Sequence, residues 1–441
     1  MCEAVRVKRQ RVPTLPGRFA SKGSDLFTTD TLIIGAGQQG CATAGALSMV
    51  GHEALIVDAG EIAQSWAHDR WDSLRVNSPN KWMQLPGWKY QGPDPCGFMP
   101  SAEVAGHICR YAHAMSLDIR THSRVIQIAD SSIPSSSYRF IADVDNLGRV
   151  RARNVVVATG NDGRPTLPPI SAGIDPALFQ LHSVDYRSPD QLPEGAVLVV
   201  GSGTSGQQIA EELALAGRDV HLAVGSHAVV PRRYRGADFY DWILSLDDTG
   251  SLTDGARLYT SSRRSAPVLS GTHGGHDLNL NVLVENGVNV LGSVRATAGT
   301  EVLLAKNVLT IARESLADGA AWLQMIDAGI RDFGLSAPDA TDRPLFDPAL
   351  LPFDERNDLN LVSAGIKSII WATGFSPSTH SFLPGTARTE TGEIAHRRGT
   401  SPIPGLYYAG LSGQLSLFSG LIYGCLRVGN HLAKMIYHKT A

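Results

Sequence analysis

The chain has 441 residues, of which 43% are hydrophobic, and its formal net charge is −3 at pH 7. This length exceeds one usual hydrophobic core, so we expect more than one domain. The near-neutral charge argues against nucleic acid as a partner, and no run approaches the roughly 18 apolar residues of a membrane helix. The cysteines are scattered without a C-x-x-C pair, which argues against a disulfide framework or a dithiol redox centre.

Residues 1–29 precede the first predicted strand and carry six Lys or Arg residues against two acids. The segment lacks the apolar stretch of a secretory signal, so we predict a cytoplasmic protein with an N-terminal extension docked on its surface. An organelle presequence is the alternative, because such segments are rich in arginine and poor in acids.

A glycine-rich loop, Gly35-Ala36-Gly37-Gln38-Gln39-Gly40, lies between the apolar run 31–34 and a helical pattern at 42–49. In such a loop the first glycine permits a tight turn, the second lets the backbone approach a pyrophosphate, and the third lets helix pack on strand. Asp58 closes the next apolar run, 54–57. An acid about 20 residues after the loop is typical of a site that hydrogen-bonds a ribose diol.

The same design returns at Gly201-Ser202-Gly203-Thr204-Ser205-Gly206, after the run 197–200 and before a helical pattern at 207–216. The next strand, 220–224, leads into Gly225 and Ser226 without a carboxylate, and Arg232 and Arg233 follow. The absence of an acid and the presence of a nearby arginine suit a 2′-phosphate. The alternative is that both arginines are solvated surface residues. We therefore predict FAD at the first loop and NADPH at the second.

Two apolar strands that end in Ala-Thr-Gly, at 158–160 and 372–374, divide the chain, and a proline-rich link at 165–169 follows the first. We predict an α/β fold with two Rossmann-like dinucleotide-binding domains, the NADPH domain (166–368) being inserted in the FAD domain (30–165 and 369–441).

Between these strands, helical patterns occur at 238–246 and 325–333. Residues 343–352 are predicted to form a long loop, which either lines a site or is an ordinary surface excursion.

Several blocks of the chain resemble the class B flavoprotein monooxygenases, which include flavin-containing monooxygenases and Baeyer–Villiger enzymes. These blocks lie at residues 70–75, 85–87, 99–101, 158–160, 231–236, 371–375 and 404–411. The resemblance spans nearly the whole chain. It implies that NADPH reduces FAD, that reduced flavin captures O2 at C4a as a peroxide, and that one oxygen atom passes to a small organic substrate of secondary metabolism.

The family fingerprint F-x-G-x-x-x-H-x-x-x-W/Y is half kept. Pro176 and Leu178 replace its phenylalanine and glycine, whereas His182 and Tyr186 remain. Tyrosine at the last position resembles the flavin-containing monooxygenase branch, which implies heteroatom (nitrogen) oxidation or hydroxylation rather than ester insertion.

Three residues are candidates for catalytic roles. Asn77 resembles the family's active-site asparagine near C4a, although it alternatively caps a turn before Pro79, and Asn80 is the second choice. His182 is either a linker histidine that hydrogen-bonds the backbone or a nicotinamide contact.

The motifs and the resemblance together predict the binding residues. The FAD contacts are Gly35, Gly37, Gln39, Gly40, Asp58, Ala59, Trp66, Arg75, Thr159, Gly160, Gly410 and Leu411. The NADP contacts are Gly201, Gly203, Thr204, Ser205, Gly206, Ser226, Arg232, Arg233, Thr373 and Gly374. Gln414 and Phe418 are predicted to line the substrate pocket, and no metal site is predicted. Residues 419–432 have helical spacing, and the start of this helix suits the flavin edge.

Two other functions are compatible with these patterns. One is an NADPH oxidase or reductase flavoprotein that inserts no oxygen, and the other is a non-catalytic flavin-binding regulator. The intact phosphate loops argue against the regulator. The expected partners are a small-molecule substrate and O2, and relatives suggest a homodimer.

Overall fold

The computed structural model describes residues 27–131, 137–160, 164–248, 265–340, 345–351, 356–376 and 380–440. Its helices are α1 (Gln38–Ser48), α2 (Gln64–Ala67), α3 (Ser101–Ala114), α4 (Thr204–Leu215), α5 (Phe239–Asp248), α6 (Leu280–Glu285), α7 (Val308–Asp332) and α8 (Gly424–Thr440). None of these described helices is long and apolar enough to cross a membrane.

The first sheet has seven strands and is mixed. Its strands are β1 (Phe27–Ile34), β2 (Ala54–Val57), β3 (Asp118–Arg120), β4 (Val125–Asp130), β5 (Phe140–Val144), β6 (Gly148–Val157) and β21 (Leu406–Tyr408). The order is β3-β2-β1-β6-β5-β4, and β21 runs parallel to the end of β6. Helices α1, α3 and α8 pack on one face of this sheet. We call these elements the seven-stranded unit.

The second sheet has the strands β8 (Phe179–His182), β9 (Ala196–Val200), β10 (Val220–Ala223), β15 (Asn289–Leu291) and β19 (Ile366–Trp371). All five are parallel, in the order β15-β10-β9-β19-β8. All of them come from the stretch between β6 and β21. In chain order, this five-stranded unit therefore lies between two parts of the first sheet.

The remaining strands are short. They are β7 (Arg164–Pro165), β11 (Ala228–Val229), β12 (Arg233–Tyr234), β13 (Ala237–Asp238), β14 (Pro267–Val268), β16 (Val294–Ala298), β17 (Glu301–Leu304), β18 (Asp358–Asn360) and β20 (Phe375–Ser376). Strands β7 and β20 pair with each other where the chain leaves the first sheet and returns to it.

The structure moves one predicted boundary. A division after residue 368 would cut β19, but all of this strand pairs with β9 in the five-stranded sheet. The chain therefore returns after Trp371, not before Ile369. The reason is that a buried parallel strand is one apolar run, so a boundary has to follow its last residue.

Helix ends also differ from the sequence patterns. Helix α7 covers 25 residues, whereas the sequence pattern indicated only 325–333. The upstream turns were missed because their buried residues include the small Ala312, Ser315 and Gly319. Such residues give a weak apolar period. Helix α8 begins at Gly424 rather than near residue 419. The predicted N-terminal extension up to residue 26, and positions 341–344 and 352–355 around the predicted long loop, lie outside the described residues.

Candidate functional site

The first glycine of each phosphate loop lies against an Ala-Thr-Gly turn. Gly35 has φ +112°, and a Cβ built on it would lie 2.4 Å from the carbonyl oxygen of Ala158. Gly201 has φ +106°, and its Cβ would lie 2.6 Å from the carbonyl oxygen of Ala372. Both positions therefore require glycine for conformation and for space. The two phosphate loops therefore pack in the same way, each against the backbone of an Ala-Thr-Gly turn.

The other glycines of the two loops have different surroundings. A Cβ on Gly40 or Gly206 would lie 1.8 Å from the carbonyl oxygen of the loop's first glycine, so these residues let the helix approach the turn. A Cβ on Gly37 or Gly203 would meet no described heavy atom within 4 Å. These two residues immediately precede α1 and α4. Each loop thus leaves space at a helix N-terminus, where backbone N–H groups bind a pyrophosphate.

The positions that follow the second strand of each unit differ between the loops. Asp58 accepts hydrogen bonds from the Ala36 N–H (2.6 Å) and the Gly60 N–H (2.7 Å), which fix its carboxylate beside the first loop. Val224 occupies the corresponding place in the second unit, since both residues donate their N–H to the neighbouring parallel strand. The carboxylate that suits a ribose diol is therefore present only at the first loop.

The start of α1 contacts the segment that precedes α8. The Gln39 amide donates to the Ser419 carbonyl (2.7 Å), and its buried Oε1 has no hydrogen-bond partner among the described residues. The side chain of Gln38 accepts from the Trp66 indole N–H at 2.8 Å. A Cβ on Gly410 would lie 2.4 Å from Gln39 Cγ. Three residues predicted from separate motifs and resemblances, Gln39, Trp66 and Gly410, thus meet here, and the unpaired buried oxygen fits a site completed by a cofactor.

Gln414 holds the turn after β21. It is 2% exposed, its Oε1 accepts from the N–H groups of Gly410 (2.9 Å) and Leu411 (3.2 Å), and its Nε2 donates to Tyr408. All these bonds shape the turn after β21. Phe418 is also buried, in an apolar cluster with α5. The turn therefore engages the Gln414 amide and the apolar cluster engages the Phe418 ring, and their place in a substrate pocket stays a prediction.

Asn77 lies where the two units meet. Its Oδ1 accepts a hydrogen bond from Gln208 Nε2 (3.0 Å), and Gln208 stands in the second turn of α4, the helix that follows the second phosphate loop. Gln208 also donates to the Leu269 carbonyl at 2.9 Å, which fixes its amide. Asn77 is thus tied to the helix of the second loop. Sequence patterns did not identify Gln208, because a glutamine 131 positions away carries no local signal.

A cavity of about 1140 Å³ lies next to this contact. Its walls come from the 71–75 segment, the 93–100 loop, the 271–274 loop and the outer face of α4, and both Asn80 and Gln208 border it. The cavity therefore lies one hydrogen bond from Asn77.

Asn80 and Arg75 hold a neighbouring loop. The Asn80 amide donates to the Asp94 carbonyl (2.9 Å), and the Arg75 guanidinium donates to the Phe98 carbonyl (2.6 Å). These bonds shape the loop at 94–98. Among the described residues, neither side chain is hydrogen-bonded to the phosphate loops, and the buried Oδ1 of Asn80 has no hydrogen-bond partner. The predicted roles of Arg75 at FAD and of Asn80 in catalysis stay predictions.

His182 is a linker histidine. Its Nδ1 accepts from the Val184 N–H (3.2 Å), so Nε2 carries the proton and donates to the Gly374 carbonyl (2.9 Å). Burial lowers the pKa of this imidazole, and the Gly374 carbonyl partly opposes that shift. Both ring nitrogens are engaged by backbone, so the catalytic alternative is not supported.

Arg232 is not available to a phosphate. It is 2% exposed, donates to both carboxylate oxygens of Asp238 (2.8 and 2.6 Å), and stacks on Phe98 at 4.4 Å from the ring centroid. Arg233 is exposed on the hairpin of β12 and β13. Our prediction for Arg232 is therefore corrected, because its guanidinium already has a buried carboxylate partner, and Arg233 remains as a phosphate candidate.

The remaining predicted contacts are distributed around the two loops. Thr159 bonds His380 (2.8 Å), Thr373 donates to the Thr166 carbonyl (2.6 Å), and Thr204 donates to the Pro267 carbonyl (3.2 Å). Ala59, Gly160 and Ser226 are exposed, whereas Ser205 is half-buried at the start of α4. Among the described residues, no cluster of His, Cys, Asp or Glu is arranged to hold a metal ion.

The sequence is similar to those of known proteins. The pyridine nucleotide-disulphide oxidoreductase family matches residues 32–237. The uncharacterized oxidoreductase CzcO of Bacillus subtilis is 28% identical over 91% of this chain and 96% of its own length. Indole-3-pyruvate monooxygenase YUCCA1 of Oryza sativa is 26% identical over 52% of this chain and 55% of its own length, so that match spans about half of each protein.

Solved structures share the fold. A flavin-containing monooxygenase from Stenotrophomonas maltophilia aligns with a TM-score of 0.62 and 19% identity, covering 94% of this chain and 100% of that one. OTEMO, in a complex with FAD and NADP, aligns with a TM-score of 0.55 and 14% identity, covering 94% of this chain and 85% of that one. With the curated relatives, these matches confirm the predicted resemblance to flavin-dependent monooxygenases, and the solved structures show the shared fold.

Proposed function

We propose that this chain, as a relative of the flavin-dependent monooxygenases, uses NADPH and FAD to transfer one oxygen atom from O2 to a small organic substrate. Nitrogen oxidation or hydroxylation is the proposed reaction type. The observation that carries the proposal is the position of Asn77, which joins the seven-stranded unit to the helix of the second phosphate loop. A residue that contacts both nucleotides has to lie at such a junction.

The first loop fits FAD. The space beside Gly37 accepts the pyrophosphate, and Asp58 is held ready to accept from ribose hydroxyls. Gln39, Trp66 and the Gly410 turn would border the flavin end. Bound there, the flavin supplies hydride acceptance and O2 activation, and the protein supplies orientation and exclusion of water.

The second loop fits NADPH. Gly203 leaves the corresponding space at the start of α4, and Thr204 and Ser205 form the first turn of that helix. No acid occupies position 224, so the place of the ribose 2′ oxygen lacks a repelling carboxylate. We assign the 2′-phosphate to Ser226 and Arg233, which are both exposed.

Asn77 would act through its amide. Because Oδ1 accepts from Gln208, the orientation of the amide is set and its Nδ2 is directed away from that bond. An oriented N–H donor can stabilise an oxygen-bearing group in a site that excludes water. We place the substrate in the neighbouring cavity bordered by Asn80 and Gln208. A homodimer and a cytoplasmic location stay predictions.

The test compares NADPH consumption with product and hydrogen peroxide, using amine, sulfide and aromatic-ring substrates. A monooxygenase converts part of its NADPH into oxygenated product, whereas NADPH that appears entirely as peroxide with every substrate would establish the oxidase alternative. Asn77→Ala should leave anaerobic flavin reduction intact and shift turnover toward peroxide. Asn289→Ala, at an exposed sheet edge, is the matched control. Wild-type coupling in Asn77→Ala would leave Asn77 as a turn residue only.

A further inference from the structure

Helix α5 belongs to the inserted part of the chain but packs against the seven-stranded unit. Its apolar residues Phe239, Ile243 and Leu244 share one cluster with Trp322 of α7 and with Tyr423, which precedes α8. This helix therefore packs between the two units. Its polar side chains form hydrogen bonds and ion pairs with the seven-stranded unit at both helix ends.

The N-terminal end of α5 is tied to the segment that follows Asn77. Asp241 accepts from Lys81 Nζ (2.8 Å) and from the Trp82 indole N–H (2.8 Å). The Asp241 side chain is 21% exposed. Lys81 and Trp82 lie only four and five positions beyond Asn77, so this carboxylate holds the same short segment that carries the proposed active-site amide.

The C-terminal end of α5 is tied to the segment between β21 and α8. Asp247 is fully buried and accepts from Ser416 Oγ (3.0 Å) and Arg427 (2.7 Å). Arg427 also donates to the Asp247 carbonyl (2.9 Å), and the Tyr423 hydroxyl donates to the Leu244 carbonyl (3.1 Å). A buried carboxylate is costly without partners, and here every named partner belongs to the other unit.

From these contacts we infer that Asp241 and Asp247 are positioning residues, which clamp the five-stranded unit onto the two segments that flank the proposed flavin site. One clamp holds residues 80–82 after Asn77. The other holds residues 416–427 after the turn that contains Gly410. The inference rests on the proposed function, because the clamp would set how the nicotinamide meets the flavin. A rigid pair of contacts at both ends of one helix restricts rotation of one unit on the other.

The experiment measures the clamp in two ways. Asp241→Asn and Asp247→Asn keep side-chain size but remove the charge, and Asp327→Asn is the matched control. Asp327 pairs with Arg235 (2.7 Å) and Tyr234 inside the five-stranded unit. Anaerobic flavin reduction at saturating NADPH is followed by stopped flow. The radius of gyration of each FAD-free variant is measured by small-angle X-ray scattering.

Both clamp variants should reduce flavin at least about 10-fold more slowly, because a misplacement of about 1 Å can cost roughly 100-fold. FAD affinity should stay at the wild-type value, and the radius of gyration should rise. Asp327→Asn should match wild type in both measurements. In Asp247→Asn combined with Arg427→Gln, the reduction rate should fall no further than in the slower single variant.

Equal slowing in Asp327→Asn would overturn the inference in favour of general destabilisation. Unchanged reduction and unchanged radius in both clamp variants would also overturn it. If Asp247→Asn does not fold, Asp241→Asn at the more exposed end decides. A wild-type enzyme that yields only peroxide would refute the proposed oxygen transfer, yet the reduction rates would still test the clamp.

Discussion

Alanine substitutions at two glycines of the first phosphate loop should affect the stability of the apo-protein differently. Gly37 has extended backbone (φ −77°), and a Cβ there meets no described atom within 4 Å. Gly37→Ala should therefore leave the apo-protein as stable as wild type, or about 0.5 kcal/mol more stable through the unfolded state. A Cβ on Gly40 would lie 1.8 Å from the Gly35 carbonyl oxygen. Gly40→Ala should cost about 3 kcal/mol, the upper end for overpacking, because the obstacle is backbone.

FAD binding should separate the same two variants differently. The added methyl of Gly37→Ala enters the space assigned to the pyrophosphate, so FAD affinity should fall at least about 10-fold, or about 1.4 kcal/mol. Urea unfolding of the apo-protein and flavin fluorescence titration measure the two quantities. Gly35→Ala is less useful, because its φ of +112° and its contact with Ala158 would disturb folding and binding together.

The reasoning would be refuted if Gly37→Ala bound FAD as tightly as wild type, or if Gly40→Ala were as stable as wild type. Gly203→Ala and Gly206→Ala repeat the comparison at the second loop. There a Cβ on Gly203 likewise meets no described atom within 4 Å, and a Cβ on Gly206 would lie 1.8 Å from the Gly201 carbonyl oxygen. There, NADPH affinity should fall in Gly203→Ala, whereas FAD affinity should not.

Three further measurements address single side chains. Arg232→Ala would strand the buried Asp238 carboxylate and should lower the free energy of unfolding by about 3–5 kcal/mol, measured in urea. Arg233→Ala should keep wild-type stability but raise the KM for NADPH about 10-fold relative to NADH, and an unchanged ratio would remove this arginine from the site. The Glu211 carboxylate, 2.6 Å away, raises the pKa of His276. His276→Gln should lower the free energy of unfolding, and this loss should be full below the usual imidazole pKa of about 6.5. The difference from wild type should vanish as pH rises through the raised folded-state pKa of His276. A difference that does not depend on pH would contradict this linkage.

The phosphate loops could be predicted from sequence because their determinants are local. A positive φ at Gly35, close packing at Gly40 and an apolar strand before them all lie within ten residues. The acid at Asp58, and its absence at Val224, could be identified in the same way, by counting from each loop. The strand β19 was recognised by its apolar run, although the boundary was placed inside it.

Polar side chains away from these loops could not be assigned from their neighbours in sequence. Gln414 and Arg232 are residue types that often occur in binding sites. In the folded chain, Gln414 shapes a turn and Arg232 pairs with Asp238. A resemblance pointed to Asn77, whose catalytic role stays a prediction, but nothing in the sequence pointed to its hydrogen-bond partner Gln208. A polar group takes whichever partner the folded chain brings near it, and sequence spacing does not encode that choice.

Sequence alone therefore determined the two glycine-rich loops, their order and the acid that follows only the first of them, since backbone conformation and short-range periodicity suffice for these features. The tertiary structure decided which polar groups remain available to a ligand and how the two units are joined. The contact between Lys81 and Asp241 spans 160 positions, and the contact between Arg427 and Asp247 spans 180. Such contacts form only when packing of the apolar faces has brought the two units together.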